Sequence, residues 1–222
     1  SYLEDLINAF LNWHSPQILD NPQYRYYNGT DWNILTRSTT VNKLISHVID
    51  DKFPDAPSVH NELINTHNPS VSAMAGLKIF INHLFEFHDH NDLNIKTRGP
   101  EYAIYLNTLR QTGIHKEGSG GWSISAPTNE SSKLAKAWAF LECEMVKWRG
   151  EGKAVSFLEL EKNMSEPPYG VKNGLAKVLI FAKFIEHRQE LSLYEEGTFT
   201  PDVYKDTLER MMKLPKKFTV VY

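Results

Sequence analysis

The sequence has little of what would assign it to a familiar class of protein. Cys143 is the only cysteine among 222 residues, so the chain forms no internal disulfide and does not have the composition of a secreted disulfide scaffold. The apolar neighbours of Cys143 predict a buried, inert thiol. No apolar run reaches the roughly 18 to 20 residues of a membrane span, and no signal-peptide pattern opens the sequence. These absences predict a cytoplasmic protein that makes no membrane contact.

The sequence also has no large excess of positive or negative charge. The formal net charge is −3, and the segment 155–222 carries ten Lys and Arg against ten Asp and Glu. Such a balance gives no reason to expect wholesale binding to nucleic acids, although a local basic patch is compatible with it. Apolar residues make up 41% of the chain, which is enough to form a core and argues against a disordered protein.

No catalytic constellation is evident in the sequence. The P-loop pattern G-x-x-x-x-G-K-[S/T] is missing, and the glycine-rich segment at 118–122 has no Lys or Thr where a phosphate and a magnesium ion would be held. We therefore predict a loop there and no bound cofactor. Whether the chain is an enzyme stays uncertain, and the absences favour a non-catalytic role.

One cluster of histidines and acids has the composition of a metal site. Its members are His83, His88, Asp89, His90 and Asp92. Imidazole and carboxylate both bind zinc, and a metal-dependent nuclease or hydrolase is the least favoured alternative function. His83 and His88 are five residues apart, however, and not at the i, i+4 spacing that places two ligands on one helix face. We predict a polar helix end and no metal.

The hydrophobic pattern predicts a mainly helical chain. Apolar residues recur at helical spacing in several segments, and one strong stripe consists of Met74, Leu77, Ile81 and Leu84. Pro100 predicts the start of another helix, and Gly113 its end. The segment 150–154 is rich in glycine and charge, so we expect a helical domain at residues 1–150 and a winged-helix-like domain with a β-hairpin at residues 151–222.

The predicted winged-helix-like domain depends on a proline pair and the apolar segment that follows it. Ser156 is expected to cap one helix, and Pro167 and Pro168 cannot continue it. The next helix is apolar on nearly every side, and the alternating segment around Glu196 and Gly197 predicts a hairpin. Helix, turn, helix and hairpin is the order of a winged helix. The apolar helix is expected to pack against protein.

DNA binding by that unit is the alternative interpretation. A helix that reads a DNA groove needs a polar, basic outer face, and this one offers few cations. Glu195 and Glu196 at the wing tip would repel phosphate. If the unit does bind double-stranded DNA, the candidate contacts are Lys172, Lys177, Lys183, Arg188, Lys216 and Lys217.

The wording of several segments resembles a family. "PPYGVKNGLAKVLI", "LSLYEEGTFTP" and "LPKKFTV", with "FPDAPSVHNELIN" and "GPEYAIYLNTLRQTGIH" upstream, are similar to segments of large bacterial P-loop ATPases encoded in phage-defence islands, of the BREX type and its relatives. The resemblance runs from about Val41 to Tyr222. It implies that the chain is an accessory or scaffolding region of such an antiviral ATPase, C-terminal to the ATPase core, and that its partners are other domains or subunits of that assembly.

Overall fold

The computed structural model describes residues 25–27, 32–34, 41–66, 69–147 and 153–222. Leu3, Leu6, Ile7 and Phe10 fall at helical spacing and predict a helix at the start of the sequence, but this segment lies outside the described residues. By their internal contacts, residues fall into two compact units, Ser1–Lys52 and Phe53–Tyr222. Among the described residues, each unit contains at least one helix together with a small antiparallel sheet.

The described part of the first unit consists of a short hairpin and a helix. Strand β1 (Arg25–Tyr27) pairs antiparallel with β2 (Trp32–Ile34), with Tyr26 opposite Asn33. Helix α1 covers Val41–Lys52. The aromatic cluster Tyr24–Tyr27 predicts a short strand and the apolar spacing of Val41, Leu44, Ile45 and Val48 predicts a helix, and both elements are found.

The second unit begins with helices α2 (Glu62–Asn65), α3 (Val71–Phe87) and α4 (Pro100–Tyr105), the last of which continues as a π-helical turn over Leu106–Arg110. Asn61 and Ser70 cap α2 and α3, because each side chain accepts a hydrogen bond from a first-turn backbone N–H. Pro100 stands in the first turn of α4 and Gly113 has a positive φ of 72°, as predicted for a start and a stop. Glu101 is buried in that first turn, where its hydrogen bond from Thr97 lowers the pKa of the carboxyl.

A second hairpin and another long helix follow. Strand β3 (His115–Gly118) pairs with β4 (Gly121–Ile124), and helix α5 covers Lys133–Val146 with Ser132 as its cap. In the glycine-rich segment, residues 119–120 form the turn of this hairpin, whereas Gly118, Gly121 and Trp122 belong to its strands, so the interpretation as a loop is correct only for the turn. Cys143 lies on the exposed side of α5, so the predicted buried thiol is wrong. Apolar residues near it in sequence face the core instead, since a helix turns by about 100° per residue.

The rest of the second unit alternates helices and short strands. Strand β5 (Val155–Ser156) leads into α6 (Phe157–Ser165), and α7 (Asn173–Glu186) follows a cis peptide bond between Pro167 and Pro168. Strands β6 (Ser192–Glu195) and β7 (Thr198–Phe199), helix α8 (Lys205–Lys213) and strand β8 (Phe218–Val221) complete it. The four strands form one antiparallel sheet in the order β5-β8-β6-β7.

Two local signals in this region act as the sequence predicts. Ser156 and Glu159 form a reciprocal capping box at the start of α6. Glu196 and Gly197 both have positive φ and connect β6 to β7, which confirms the hairpin.

One hydrophobic core spans the second unit, from Val59 to Val220. Residues before position 148 and after position 152 contribute to it together, whereas the sequence predicted a domain boundary between 150 and 151. The predicted stripe on α3 is correct for Leu77, Ile81 and Leu84, but Met74 is 45% exposed because it lies at the edge of the buried face. Within the described ranges, no helix is both long enough and apolar enough to cross a membrane.

Candidate functional site

Helix α7 is buried on all of its faces. Its apolar side chains pack against neighbouring elements on every side, so the segment after the two prolines is an interior helix. The buried residues are Leu175, Ala176, Val178, Leu179, Ile180, Phe181, Ala182, Phe184 and Ile185. The predicted burial of this helix is confirmed for contacts within its own chain. It presents no continuous polar face that could enter a DNA groove.

Two of the cations proposed for DNA contact are used inside the protein. Lys183 is fully buried and its ammonium pairs with Glu142 and Glu186, so it cannot reach a phosphate while the fold is intact. The side chain of Lys177 is 13% exposed, and its ammonium donates to the carbonyl of Met212 at 3.0 Å. For these two residues the predicted surface role is corrected, because carboxylates and carbonyls of the core satisfy their charges.

The other four candidate cations are exposed but do not form one patch. Lys172 and Arg188 flank α7 at opposite ends, so they are separated by the length of this 14-residue helix, which is about 21 Å. Lys216 is exposed beyond α8, and Lys217 pairs with Glu196 at 2.8 Å. Lys172 and Arg188 therefore belong to different parts of the surface, and Lys217 is engaged in an ion pair.

The ammonium of Lys183 is the centre of a polar cluster between α5 and α7. It lies 2.9 Å from Oε2 of Glu142 on α5 and 2.6 Å from Oε2 of Glu186 on α7. The hydrogen bond from Lys183 holds the pKa of Glu142 below its usual value, so this carboxylate stays ionised. The ammonium also lies over the ring of Trp138, 4.2 Å from its centroid. The cluster is thus a charged connection between two core helices.

His187 extends this cluster beyond the end of α7. Its Nε2 lies 3.8 Å from Oε1 of Glu142 and 3.6 Å from Oε2 of Glu186, and its Nδ1 lies 3.7 Å from Oε2 of Glu190. Nε2 is buried and has no hydrogen-bond partner among the described residues. Three carboxylates therefore surround one imidazole at distances too long for hydrogen bonds.

A cleft of about 280 Å³ opens beside His187. His88 lines the same cleft, and its Nδ1 is a second buried ring nitrogen without a partner in the described part of the chain. Its backbone carbonyl accepts a hydrogen bond from the imidazole of His115 at 3.0 Å. His88 therefore faces the cleft beside His187.

The histidines and acids of the predicted cluster do not converge. His83 contacts the carbonyl of Leu93 at 3.0 Å, and His90 contacts its neighbour Asp89 at 2.7 Å on the surface. The only group of three metal-binding side chains found among the described residues is instead Glu142, Glu186 and His187. Sequence reasoning missed it because Glu142 is more than forty positions away from the other two.

A groove of about 260 Å³ runs along the end of the sheet at β7. Phe199 and Tyr204 line it and are 54% and 68% exposed. Arg188 and Asp202 supply opposite charges to its lining, and both are exposed. The floor of the groove is apolar and consists of Phe85, Phe184, Leu191 and Leu193.

A buried hydrogen-bonded chain, which the sequence did not reveal, connects three elements. The Tyr105 hydroxyl lies 2.9 Å from Nδ1 of His115, and Nε2 of His115 donates to the carbonyl of His88. Burial lowers the pKa of His115 to about 4 and raises that of Tyr105, so both groups stay neutral near pH 7. The guanidinium of Arg110 stacks on Trp122, whose ring contacts His115. The chain fixes β3 against α4, and no local motif signals it.

Comparisons with protein families, with curated proteins and with solved structures found no match to this chain.

Proposed function

We propose that the chain is a non-catalytic region that binds other protein segments, with a winged-helix-like unit as its C-terminal part. The observation that carries the proposal is the burial of α7 on all faces, together with the internal ion pairs of Lys183. In a DNA-reading unit the corresponding helix presents a basic face to the groove. In this chain the corresponding helix, α7, lies in the hydrophobic core and presents no such face.

The strand order supports the winged-helix-like comparison. Helix α5, strand β5, helices α6 and α7 and strand β6 follow one another in the chain, as in a winged helix. Strand β8 lies between β5 and β6 in the sheet, which is the place of the last strand in such a unit. Strand β7 and helix α8 then take the position of the wing between β6 and β8. An extended wing of this kind offers additional surface for a protein partner.

The groove beside β7 is the surface that we assign to the partner. Its exposed Phe199 and Tyr204 are residue types that contribute strongly to protein interfaces, and they stand over an apolar floor. Strand β7 is at the edge of the sheet, where an extended segment can add to it. The partner that fits is a protein segment with a large apolar anchor residue and an acidic neighbour. The anchor fills the groove, and the acid meets Arg188, which makes no ion pair within the described residues.

The resemblance to phage-defence ATPases indicates which protein supplies the segment that binds the groove. In this proposal the chain is an accessory region of a larger bacterial antiviral ATPase, and the segment that binds the groove belongs to another domain or subunit of the same assembly. The genomic reading frame around the chain, or an adjacent gene, is expected to encode a P-loop motif. A locus without any such motif would remove the ATPase from the proposal and leave the protein-contact role.

The experiment measures two kinds of binding with the purified chain. Fluorescence anisotropy with a labelled duplex of about 20 base pairs is expected to show no binding at low salt, while tight binding that weakens steeply with salt would support the DNA-binding alternative. Biolayer interferometry with the ATPase found at the locus is expected to show specific binding. Double substitution of Phe199→Ala and Tyr204→Ala should weaken it by about tenfold or more.

The matched control for the groove is Leu158→Ala. Leu158 is an apolar residue of α6 that is 43% exposed and does not line the groove. This variant is expected to bind the ATPase as the parent does. Equal binding by the parent, the groove variant and the control would mean that the groove is not the contact surface.

A further inference from the structure

We propose that Glu142, Glu186 and His187 form a binding site for a transition-metal dication of the zinc class. One ligand atom from each residue lies within 4.8 Å of the other two. Glu142 comes from α5, whereas Glu186 and His187 lie at the end of α7. A metal bound there would join the two helices at the point where Lys183 already connects them.

The spacing of the ligand atoms fits one shared metal better than it fits hydrogen bonds. Nε2 of His187 is 3.6 Å from Oε2 of Glu186 and 3.8 Å from Oε1 of Glu142. Hydrogen bonds between nitrogen and oxygen are about 2.7 to 3.2 Å long. Two ligands of a tetrahedral zinc ion, each about 2.1 Å from the metal, are roughly 3.4 Å apart. Shifts of a few tenths of an ångström would bring Nε2 to that separation from each of the two carboxylate oxygens.

The charge around the imidazole also favours a dication. Glu142, Glu186 and Glu190 place three carboxylates within 4 Å of His187, and the ammonium of Lys183 contacts the first two of them. With a neutral imidazole the group carries a formal charge of −2, which a dication neutralises. Repulsion from Lys183 opposes the metal, and the third carboxylate offsets this repulsion.

Lys183 acts in this site as a positioning residue. Its hydrogen bonds to both carboxylates fix their orientation, as outer-shell donors do for ligating carboxylates in metalloproteins. The carbonyl end of α7 adds a favourable electrostatic potential for a cation. The side chain of Glu142 is 46% exposed and the adjacent cleft reaches His187, so a metal ion can enter from solvent.

Zinc binding to the intact, chelator-treated chain tests the proposal. Isothermal titration calorimetry is expected to show one zinc ion per chain, and zinc should raise the melting temperature. Titration with cobalt(II) should give visible absorption bands that report coordination at the protein. The variants His187→Gln and Glu142→Gln are each expected to weaken zinc binding by about tenfold or more.

The control is His90→Gln, because His90 is an exposed histidine paired with Asp89 outside the site. It should bind zinc as the parent does. Circular dichroism and thermal melting without zinc check that each variant is folded. If Glu142→Gln does not fold, the zinc affinity of His187→Gln alone tests the proposal. A parent chain that binds no zinc at 100-fold excess, or a His187→Gln variant with unchanged affinity and unchanged cobalt spectrum, would overturn the proposal.

Discussion

The ammonium nitrogen of Lys183 lies 4.2 Å from the centroid of the Trp138 ring, and both side chains are buried in the core. A buried ammonium is costly unless its charge is compensated. Glu142 and Glu186 supply that compensation as ion pairs, and the face of the indole adds a cation–π contact. One lysine in an apolar helix thus joins α5 to α7.

Replacing Lys183 by Met should lower the free energy of unfolding by about 2 to 3 kcal/mol, measured by urea denaturation. Met fills a similar volume, but the carboxylates of Glu142 and Glu186 lose their shared cation. The loss stays below that for a fully buried pair because both carboxylates are partly exposed.

Two further variants give this prediction its controls. Lys172→Met removes an exposed lysine before α7 and is expected to change the stability by less than about 0.5 kcal/mol. The double variant Lys183→Met with Glu186→Gln should cost less than the sum of the two single changes, since the residues contact each other. Additive effects would mean that the ion pair does not contribute to stability.

The backbone of α2 approaches α7 at Gly174. A Cβ atom added there would contact the carbonyl oxygen of Ile64 and come within 2.8 Å of the Ile64 side chain. Gly174→Ala is therefore expected to destabilise the protein by about 1 to 3 kcal/mol, although alanine favours helices.

The matched variant is Gly120→Ala. A Cβ atom at Gly120 meets nothing within 4 Å, and this glycine lies in the turn of the β3–β4 hairpin. Its urea midpoint should stay close to that of the parent. If both alanine variants melt alike, the close approach of α2 and α7 is not a constraint on the fold.

The buried imidazole of His115 should make stability depend on pH. Its pKa is about 4 in the folded chain against the ordinary value of 6.5. Well above pH 6.5 the imidazole is unprotonated in both the folded and the unfolded chain, so it does not make the free energy of unfolding depend on pH. Below it the unfolded chain binds a proton that the folded chain does not, so stability falls as the pH drops toward 4. The total loss is roughly 3 kcal/mol.

His115→Gln isolates that effect from other titrating groups. The variant has no imidazole at this position, so its unfolding free energy should fall less between pH 6.5 and pH 4 than that of the parent. Urea denaturation at several pH values measures the difference between the two slopes. Parallel slopes for parent and variant would show that His115 titrates normally in the folded chain.

Local signals in the sequence predicted the positions of most described elements. Ser156 with Glu159, Pro100, and the pair Glu196–Gly197 act through their own backbone neighbours, so their effects are readable from a few residues. Met74 and Cys143 were misplaced, because helical spacing defines a face only to within about one residue on either side.

The candidate site depends on contacts that no local pattern contains. Lys183 meets Glu142 across 41 positions, and His115 meets the carbonyl of His88 across 27. A lysine within an apolar helix is also read more easily as a surface residue, since a lone cation gives no sign of its distant partners. The buried polar clusters therefore depend on how the helices pack, which the sequence alone does not show.

A helix that is buried on every face should tolerate an unpaired charge on none of them, and Lys183 is accommodated only because Glu142 and Glu186 pair with it. Leu179 and Ile180 point in different directions from α7, and neither is more than 1% exposed. Leu179→Asp and Ile180→Asp are both expected to cost about 4 kcal/mol or more and to unfold the second unit at 37 °C. Leu158→Asp, at a position that is 43% exposed, should melt close to the parent. Circular dichroism during thermal unfolding measures all three. A tolerated Ile180→Asp beside a damaging Leu179→Asp would mean that α7 has one free face after all, and that face would again be available to DNA.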